Sequence, residues 1–381
     1  MRFLHTKPPS QRMNKLCFVA NLPKYALGGA ERQAMFIADA MSKRAFDVHV
    51  ITASTEERAR TVHEANMTIH ELRGVRSGRV PTPVDTALQM WEYYRLVTAV
   101  NADVYYQRSS GALTGVVAAA CRNVRRPLVF GSSHLWDATL NLDGVFFYDS
   151  PLEQIRISGR MYRYGASHSR VIIAQTEQIA SLFRTKLPKS DVRCIRTPVL
   201  SPIQTKSGDK PYVVSIARLV WYKRPQAVLK VARMLPEVTF VLAGYGEMES
   251  TIREESAKIP NLTFLGRQSP EDALRLMREA RVFLNTSEAE GFPNTLSESL
   301  SCETPYVSFY DPDEVICRYG LGAHVHSLEE AAAAIRKYVS DEEESRRTGV
   351  RGREYLLRFH DPDSIARQYE TLFAGLSKSH R

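Results

Sequence analysis

The sequence predicts two doubly wound α/β domains facing across a cleft, and three observations support that. The chain has 381 residues, more than the roughly 100–200 of an ordinary single domain. Short runs rich in Val, Ile and Leu alternate with amphipathic segments in two successive series. Between the series lies Pro198 to Lys210, whose Pro, Ser, Lys, Gly and Asp have the composition of a linker. Alternating strands and helices of this kind build parallel sheets covered by helices on both faces.

In the first series, Lys15–Asn21 reads as a buried strand and Ala30–Arg44 as an amphipathic helix. Strands over Phe46–Thr52 and Thr68–Leu72 follow, then a helix over Asp85–Val100 and a strand over Asp103–Gln107. A helix over Ala112–Arg122 leads to the strand Pro127–Gly131. After a less regular stretch come the strand Arg170–Ala174, a helix over Glu177–Lys186 and the strand Val192–Thr197. In the second series the strands are Tyr212–Ala217, Val238–Ala243, Leu262–Leu265, Val282–Asn285 and Tyr306–Phe309. Helices over Arg224–Met234, Met248–Ile259, Glu271–Ala280 and Leu296–Cys302 alternate with them.

Composition narrows the class. Hydrophobic residues make up 44% and charged ones 24%, as in an ordinary globular protein. The five cysteines are odd in number and widely spaced, which argues against a disulfide framework or a zinc site and for a reducing compartment. Met1 to Arg12 is polar and basic, and Leu16 to Leu22 is too short for a secretory signal, so the chain is expected in the cytoplasm, with Met13 an alternative start. No run approaches the ~20 apolar residues of a membrane span. The net charge of +9 suits nucleic acid, anionic lipid or a phosphorylated small molecule alike. No recognition motif or basic–aromatic stripe supports nucleic acid.

In doubly wound sheets, ligands bind beyond the carboxyl ends of the strands, so the loops there carry the chemistry. Gly28 and Gly29 open the first helix; they permit a ligand to approach the backbone, or simply form a tight turn. Arg218 and Lys223 follow a strand and could converge on one anion, Arg as a planar fork and Lys as a point charge, or be two surface bases. Gly244 and Gly246 end another strand, for close backbone approach or for a turn. The richest loop runs from Ser287 through Glu290, Gly291, Phe292, Pro293, Asn294 and Thr295 to Glu298. A helix opening at Asn294, a good N-cap residue, offers backbone N–H groups to a phosphate. Two carboxylates beside such a site suit hydroxyls, one set on a sugar and one on a ribose, or either is simply a loop or helix-surface Glu.

This last block, with its second Glu eight positions after the first, resembles the signature of retaining glycosyltransferase family 4, a GT-B fold of two Rossmann-like domains. Arg218 and Lys223 match that family's basic pair, Gly244 and Gly246 its G-x-G turn, and Gly28-Gly29-Ala30-Glu31 its N-terminal glycine loop. The resemblance covers residues 14–375. It implies an acceptor-side domain over 14–200, a nucleotide-sugar domain over 208–358, and a C-terminal helix over 359–381 packing back towards the first domain. It also implies that a nucleotide-diphosphate sugar is the donor, with no separate cofactor and no metal. Glu290 would contact donor hydroxyls, Gly291 to Pro293 the sugar and diphosphate, and Glu298 the ribose. Arg218 and Lys223 would hold the diphosphate, Arg267 the base, and His134 would stand near the reacting carbon. The acceptor would be a glycan or a lipid-linked hydroxyl in polysaccharide or glycolipid synthesis. A silent nucleotide-sugar-binding subunit and a sugar-nucleotide epimerase of the same fold are the alternatives.

Two departures stand out: Glu303 replaces a usual Gly, and Arg196-Thr197-Pro198-Val199 replaces a Pro-Asn-Gly-Val turn. Asp311-Pro-Asp313 and Asp361-Pro-Asp363 read as helix caps rather than metal ligands. Arg156, Arg160 and Arg163, interleaved with Ile155, Ile157, Met161, Tyr162 and Tyr164, form either a solvated basic face or a peripheral contact with anionic lipid.

Overall fold

The computed structural model describes residues 14–22, 28–44, 46–54, 58–74, 82–140, 157–203, 206 and 210–378. Met1 to Arg12, Ile155 and Arg156 lie outside them. In the first half, β1 (Asn14–Val19), α1 (Gly29–Ser42), β2 (Phe46–Ala53), β3 (Arg60–Glu64), β4 (Met67–Leu72) and α2 (Pro83–Val100) come first. Then follow β5 (Val104–Arg108), α3 (Ala112–Asn123), β6 (Leu128–Gly131), α4 (Ile157–Ser167), β7 (Val171–Ala174), α5 (Glu177–Lys186) and β8 (Asp191–Cys194). Their sheet order is β3-β4-β2-β1-β5-β6-β7-β8.

The second half contains β9 (Lys210–Arg218), α6 (Pro225–Met234), β10 (Thr239–Tyr245), α7 (Glu249–Ser256), β11 (Leu262–Phe264), α8 (Pro270–Glu279) and β12 (Ala280–Asn285). It continues through α9 (Asn294–Ser301), β13 (Tyr306–Ser308), α10 (Val315–Tyr319), β14 (Gly322–His324), α11 (Leu328–Ser340) and α12 (Glu342–Phe359) to α13 (Pro362–Lys378). This sheet runs β11-β10-β9-β12-β13-β14 and is parallel throughout.

Strand order reverses between β1 and β5 in one sheet and between β9 and β12 in the other. Those are the crevices where doubly wound sheets bind ligands, and the loops that leave β1, β5, β9 and β12 meet there.

Alternation along each strand assigns the two helix layers. Leu16, Phe18, Val104 and Tyr106 share one core with α1 and α13. Cys17, Val19 and Tyr105 face α2 and α3 on the other side. The last helix therefore returns to the first domain, burying Tyr369, Leu372 and Phe373 against its sheet. His360 fixes this return. Its Nδ1 lies 2.6 Å from the Thr197 carbonyl, and Val199 N–H donates to the His360 carbonyl at 3.0 Å.

Besides α4, α10, β14, α11 and α12, which are not predicted from the sequence, two elements differ from expectation for local reasons. β3 pairs antiparallel to β4 through a turn with Ala65 and Asn66 at positive φ, and its polar, largely exposed RTVHE carries no hydrophobic alternation. α2 starts two residues earlier than its apolar pattern, because Thr82 and Asp85 form a reciprocal capping box ahead of Pro83. Glu303 has φ 55°, the left-handed region that the family's Gly would occupy without strain. Its side chain is held by Arg353 at 3.2 Å. All five cysteines are free.

Candidate active site

The cleft between the sheets holds a cavity of about 450 Å³ lined from both domains. From the first come Gly28, Gly29, His134 and Gln175; from the second come Arg218, Lys223 and Glu290 through Thr295. Gly244, Gly246, Arg267 and Glu298 do not line it.

Two loops of the second domain are laced together. Glu288 N–H donates to the Tyr222 carbonyl at 3.0 Å, and the Thr286 hydroxyl donates to the Lys223 carbonyl at 2.7 Å. This brings the Lys223 ammonium onto the Glu290 carboxylate, with side chains only 17% and 9% exposed. Burial alone would push the Glu290 carboxyl up. The Lys223 charge and hydrogen bond, with smaller help from His134 and Ser287, outweigh it and hold the group below the usual carboxylate range. Glu290 is thus an ionised acceptor suited to hydroxyls. Arg218 stands at the end of β9, its guanidinium donating to the Tyr222 hydroxyl at 2.7 Å.

α9 opens into this cavity. Asn294 is its first helical residue and Pro293 occupies the cap position with no side-chain cap, so the expectation of an Asn294 N-cap is corrected by one residue. Pro, which lacks an N–H, fits ahead of the first turn, and the Asn294 amide is released to meet Gln33 at 3.4 Å across the cleft. Gly291 is sterically required: a Cβ there would lie 2.5 Å from the Ser133 carbonyl oxygen. The neighbouring Phe292 N–H donates to the Gln175 side-chain oxygen at 2.9 Å.

His134 sits opposite, 8% exposed. Its Nδ1 accepts from Trp136 N–H at 3.2 Å, so Nε2 carries the proton towards the Ala289 carbonyl at 3.1 Å. Burial pushes its pKa down, against the pull of Glu290 and Asp137. The ring therefore braces the backbone next to Glu290. Its loop is ordered by Asp137, whose carboxylate accepts from the N–H groups of Ser133 and His134 at 2.6 and 3.0 Å.

The remaining sequence-derived residues have different surroundings. Gly244 and Gly246 have φ of 156° and 152°, and Cβ atoms there would meet the carbonyls of Ala217 and Leu219 at 2.0 and 2.6 Å. They let β10 end tightly against the Arg218 loop, which presents Tyr245 to the cavity. Arg267 is exposed and stacks on the outer side of this wall, 4.7 Å from the Tyr245 ring centre. Glu298 lies beyond the cavity wall, paired with Arg32 of α1 at 3.1 Å, and burial pushes its carboxyl up in spite of that arginine.

Residues 27–199 match the profile described as Glycosyltransferase Family 4, and residues 198–355 the one described as Glycosyl transferases group 1. The chain belongs to the GT-B glycosyltransferases. Over 128 residues it is 34% identical to the alpha-galactosylglucosyldiacylglycerol synthase of Streptococcus pneumoniae, spanning 31% of this chain and 32% of that relative. The chain thus matches about a third of the relative's length. Among solved structures, sucrose-phosphate synthase from Thermosynechococcus elongatus superposes with a TM-score of 0.76 at 14% identity, covering 96% of this chain and 100% of that one. The pneumococcal O-GlcNAc transferase GtfA, in complex with UDP and GlcNAc, gives 0.69 at 12%, covering 96% and 99%. At such identities the likeness is one of fold.

Several residues of this candidate site carry no signal in the sequence. Gln175, Arg32 and Gln33 act through partners far along the chain, and Asp137 through the N–H groups of Ser133 and His134. Arg108 ends β5 in the cavity wall, 6% exposed, with one nitrogen donating to the Tyr106 hydroxyl at 3.1 Å. Its Nε and other terminal nitrogen are buried with no hydrogen-bond partner among the described residues. Its place directly after a buried strand was the one available clue.

Proposed function

We propose that this chain transfers a sugar from a nucleotide-diphosphate sugar to a hydroxyl acceptor with retention at the anomeric carbon and without a metal ion. The observation that carries the reading is the meeting of Arg218, Lys223, Glu290 and the uncapped start of α9 in one interdomain cavity. Three positive features around one carboxylate suit a diphosphate with a polyhydroxyl group beside it.

Glycosyl transfer builds positive charge on the sugar while a nucleoside diphosphate leaves with negative charge. Fixed cations and backbone N–H groups in a water-poor cleft stabilise that leaving group without reorganising. Arg218, Lys223 and the N–H groups at the start of α9 take this role, and Glu290 orients donor hydroxyls. A retaining hydrolase would need two carboxyls ~5 Å apart as acid and nucleophile. Here Glu290 is tied to Lys223 and Glu298 lies behind the cavity wall, so neither takes that part. Retention then proceeds on the donor's own face, the departing phosphate receiving the acceptor's proton. Glu298 grips the ribose once Arg32 yields it.

The acidic Asp-Pro pairs serve the fold. Asp311 accepts from Ile316 and Cys317 N–H, and Asp313 from Glu177 and Gln178 N–H at the start of α5. A uridine nucleotide is the first donor to try, because the pneumococcal structure holds UDP and GlcNAc. A glycolipid acceptor is suggested by the name of the streptococcal synthase.

The test is a thermal-shift and turnover screen with UDP-, GDP- and ADP-sugars, with the anomeric configuration of the product read by NMR. Stabilisation by one class and an α product from an α donor are expected. Absence of any nucleotide effect, or an inverted product, would overturn the reading.

A further inference from the structure

Outside the cleft, the outer face of α2, α3 and α4 carries apolar side chains that the sheet does not use. Val84, Leu88 and Trp91 are 67%, 58% and 57% exposed. Spacings of four and three residues place them in one stripe along α2, and exposed Arg95 extends it. Beside the stripe runs an apolar groove of about 510 Å³ walled by Met90, Trp91, Tyr94, Val116, Met161 and Tyr164. Its floor is shallow because Gly115 and Gly165 let α3 and α4 touch backbone to backbone: a Cβ on either would come within 2.5 Å of the other helix.

The rim is cationic. Arg160 lines the groove and Arg122 reaches it by donating to the Tyr164 hydroxyl at 3.2 Å; both arginines are exposed. Neither α3 nor α4 contains an acidic residue, and α2 has only Asp85, held in its cap, and Glu92. In a parallel sheet the helices run against the strands, so the first halves of α2 and α4 lie at the carboxyl edge. Val84, Leu88, Ile157 and Arg160 are therefore at that edge of the first domain.

We propose that this face docks on an anionic lipid bilayer, with the α2 stripe entering the headgroup boundary and the arginines meeting lipid phosphates. Charge complementarity favours a bilayer over a second copy of the chain, which would set one arginine-rich face against another. The docking does not depend on the chemistry of the cleft, so it stands or falls apart from sugar transfer.

The experiment is co-sedimentation of the full chain with vesicles of phosphatidylcholine, alone or with phosphatidylglycerol added. Binding to the anionic vesicles only, weakened about tenfold or more by L88S/W91S and separately by R122Q/R160Q, is expected. All four positions are exposed, and circular dichroism checks that the variants fold. In a W136F/W221F background, Trp91 emission should shift to the blue on anionic vesicles. No binding, equal binding to both vesicle types, or indifference to both double substitutions would overturn the proposal. So would self-association of the free chain that L88S/W91S abolishes.

Discussion

Glu298 of the second domain is ion-paired with Arg32 of the first, carboxylate oxygen to guanidinium nitrogen at 3.1 Å. Neither residue lines the cavity, and on the proposed reading a ribose that takes Glu298 takes it from Arg32. Glu298→Ala is expected to remove the thermal shift caused by the preferred nucleoside diphosphate. Arg32→Ala is expected to leave or enlarge it. Wild-type nucleotide affinity in Glu298→Ala would sink the ribose assignment.

Lys223→Met strands the Glu290 carboxylate in the cleft wall. Removing one partner of a buried pair costs about 3–5 kcal/mol, which a urea titration of the unliganded protein would show. The Lys223→Met/Glu290→Leu double variant should recover most of that stability and none of the turnover. Full stability in the single variant would mean that water reaches Glu290 freely.

His360 makes stability depend on pH. Burial, opposed by the contact with the Thr197 carbonyl, pushes its pKa down to about 4 from the 6.5 of the free residue. The folded state therefore favours the neutral ring. The loss begins as pH falls below 6.5 and is complete near 4, reaching about 2 kcal/mol at pH 5. His49 and His70 are shifted the same way by burial and add to the slope. His360→Phe should flatten the slope between pH 7 and 5 by that amount, measured as the change in urea midpoint. An unchanged slope would show that His360 is protonated in the fold.

Trp136 and Trp221 stack across the cleft, ring centres 5.5 Å apart and planes within 13°. They are two of the three tryptophans in the chain, so intrinsic fluorescence reports on the interdomain contact. Nucleotide binding should change the emission of Trp91→Phe as much as that of the wild type. Trp136→Phe or Trp221→Phe should lose the change. A response that persists in both would place its origin elsewhere.

The fold was legible where burial imposes a pattern. β12 is buried at every position and its apolar run shows it, whereas β3 is a polar edge and shows nothing. The cleft was legible where chemistry is written in adjacent residues, as in Glu290 through Thr295. It was not legible where a residue acts on a partner far away in sequence. Gln175 holds Phe292, and Gln33 meets Asn294, yet each looks ordinary in its own segment. Glu298 shows the intermediate case: its position in the block is plain, and its partner Arg32 lies 266 residues away.

The return of α13 has a consequence for how the protein comes into being. Its residues Tyr369, Leu372 and Phe373 belong to the core of the first sheet, at roughly 1.5–3 kcal/mol for each large side chain covered. They are synthesised after the whole of the second domain. On the ribosome, the first domain emerges with part of the α1 face of its sheet uncovered and stays so until the second has been made. The first domain is thus the last to be finished.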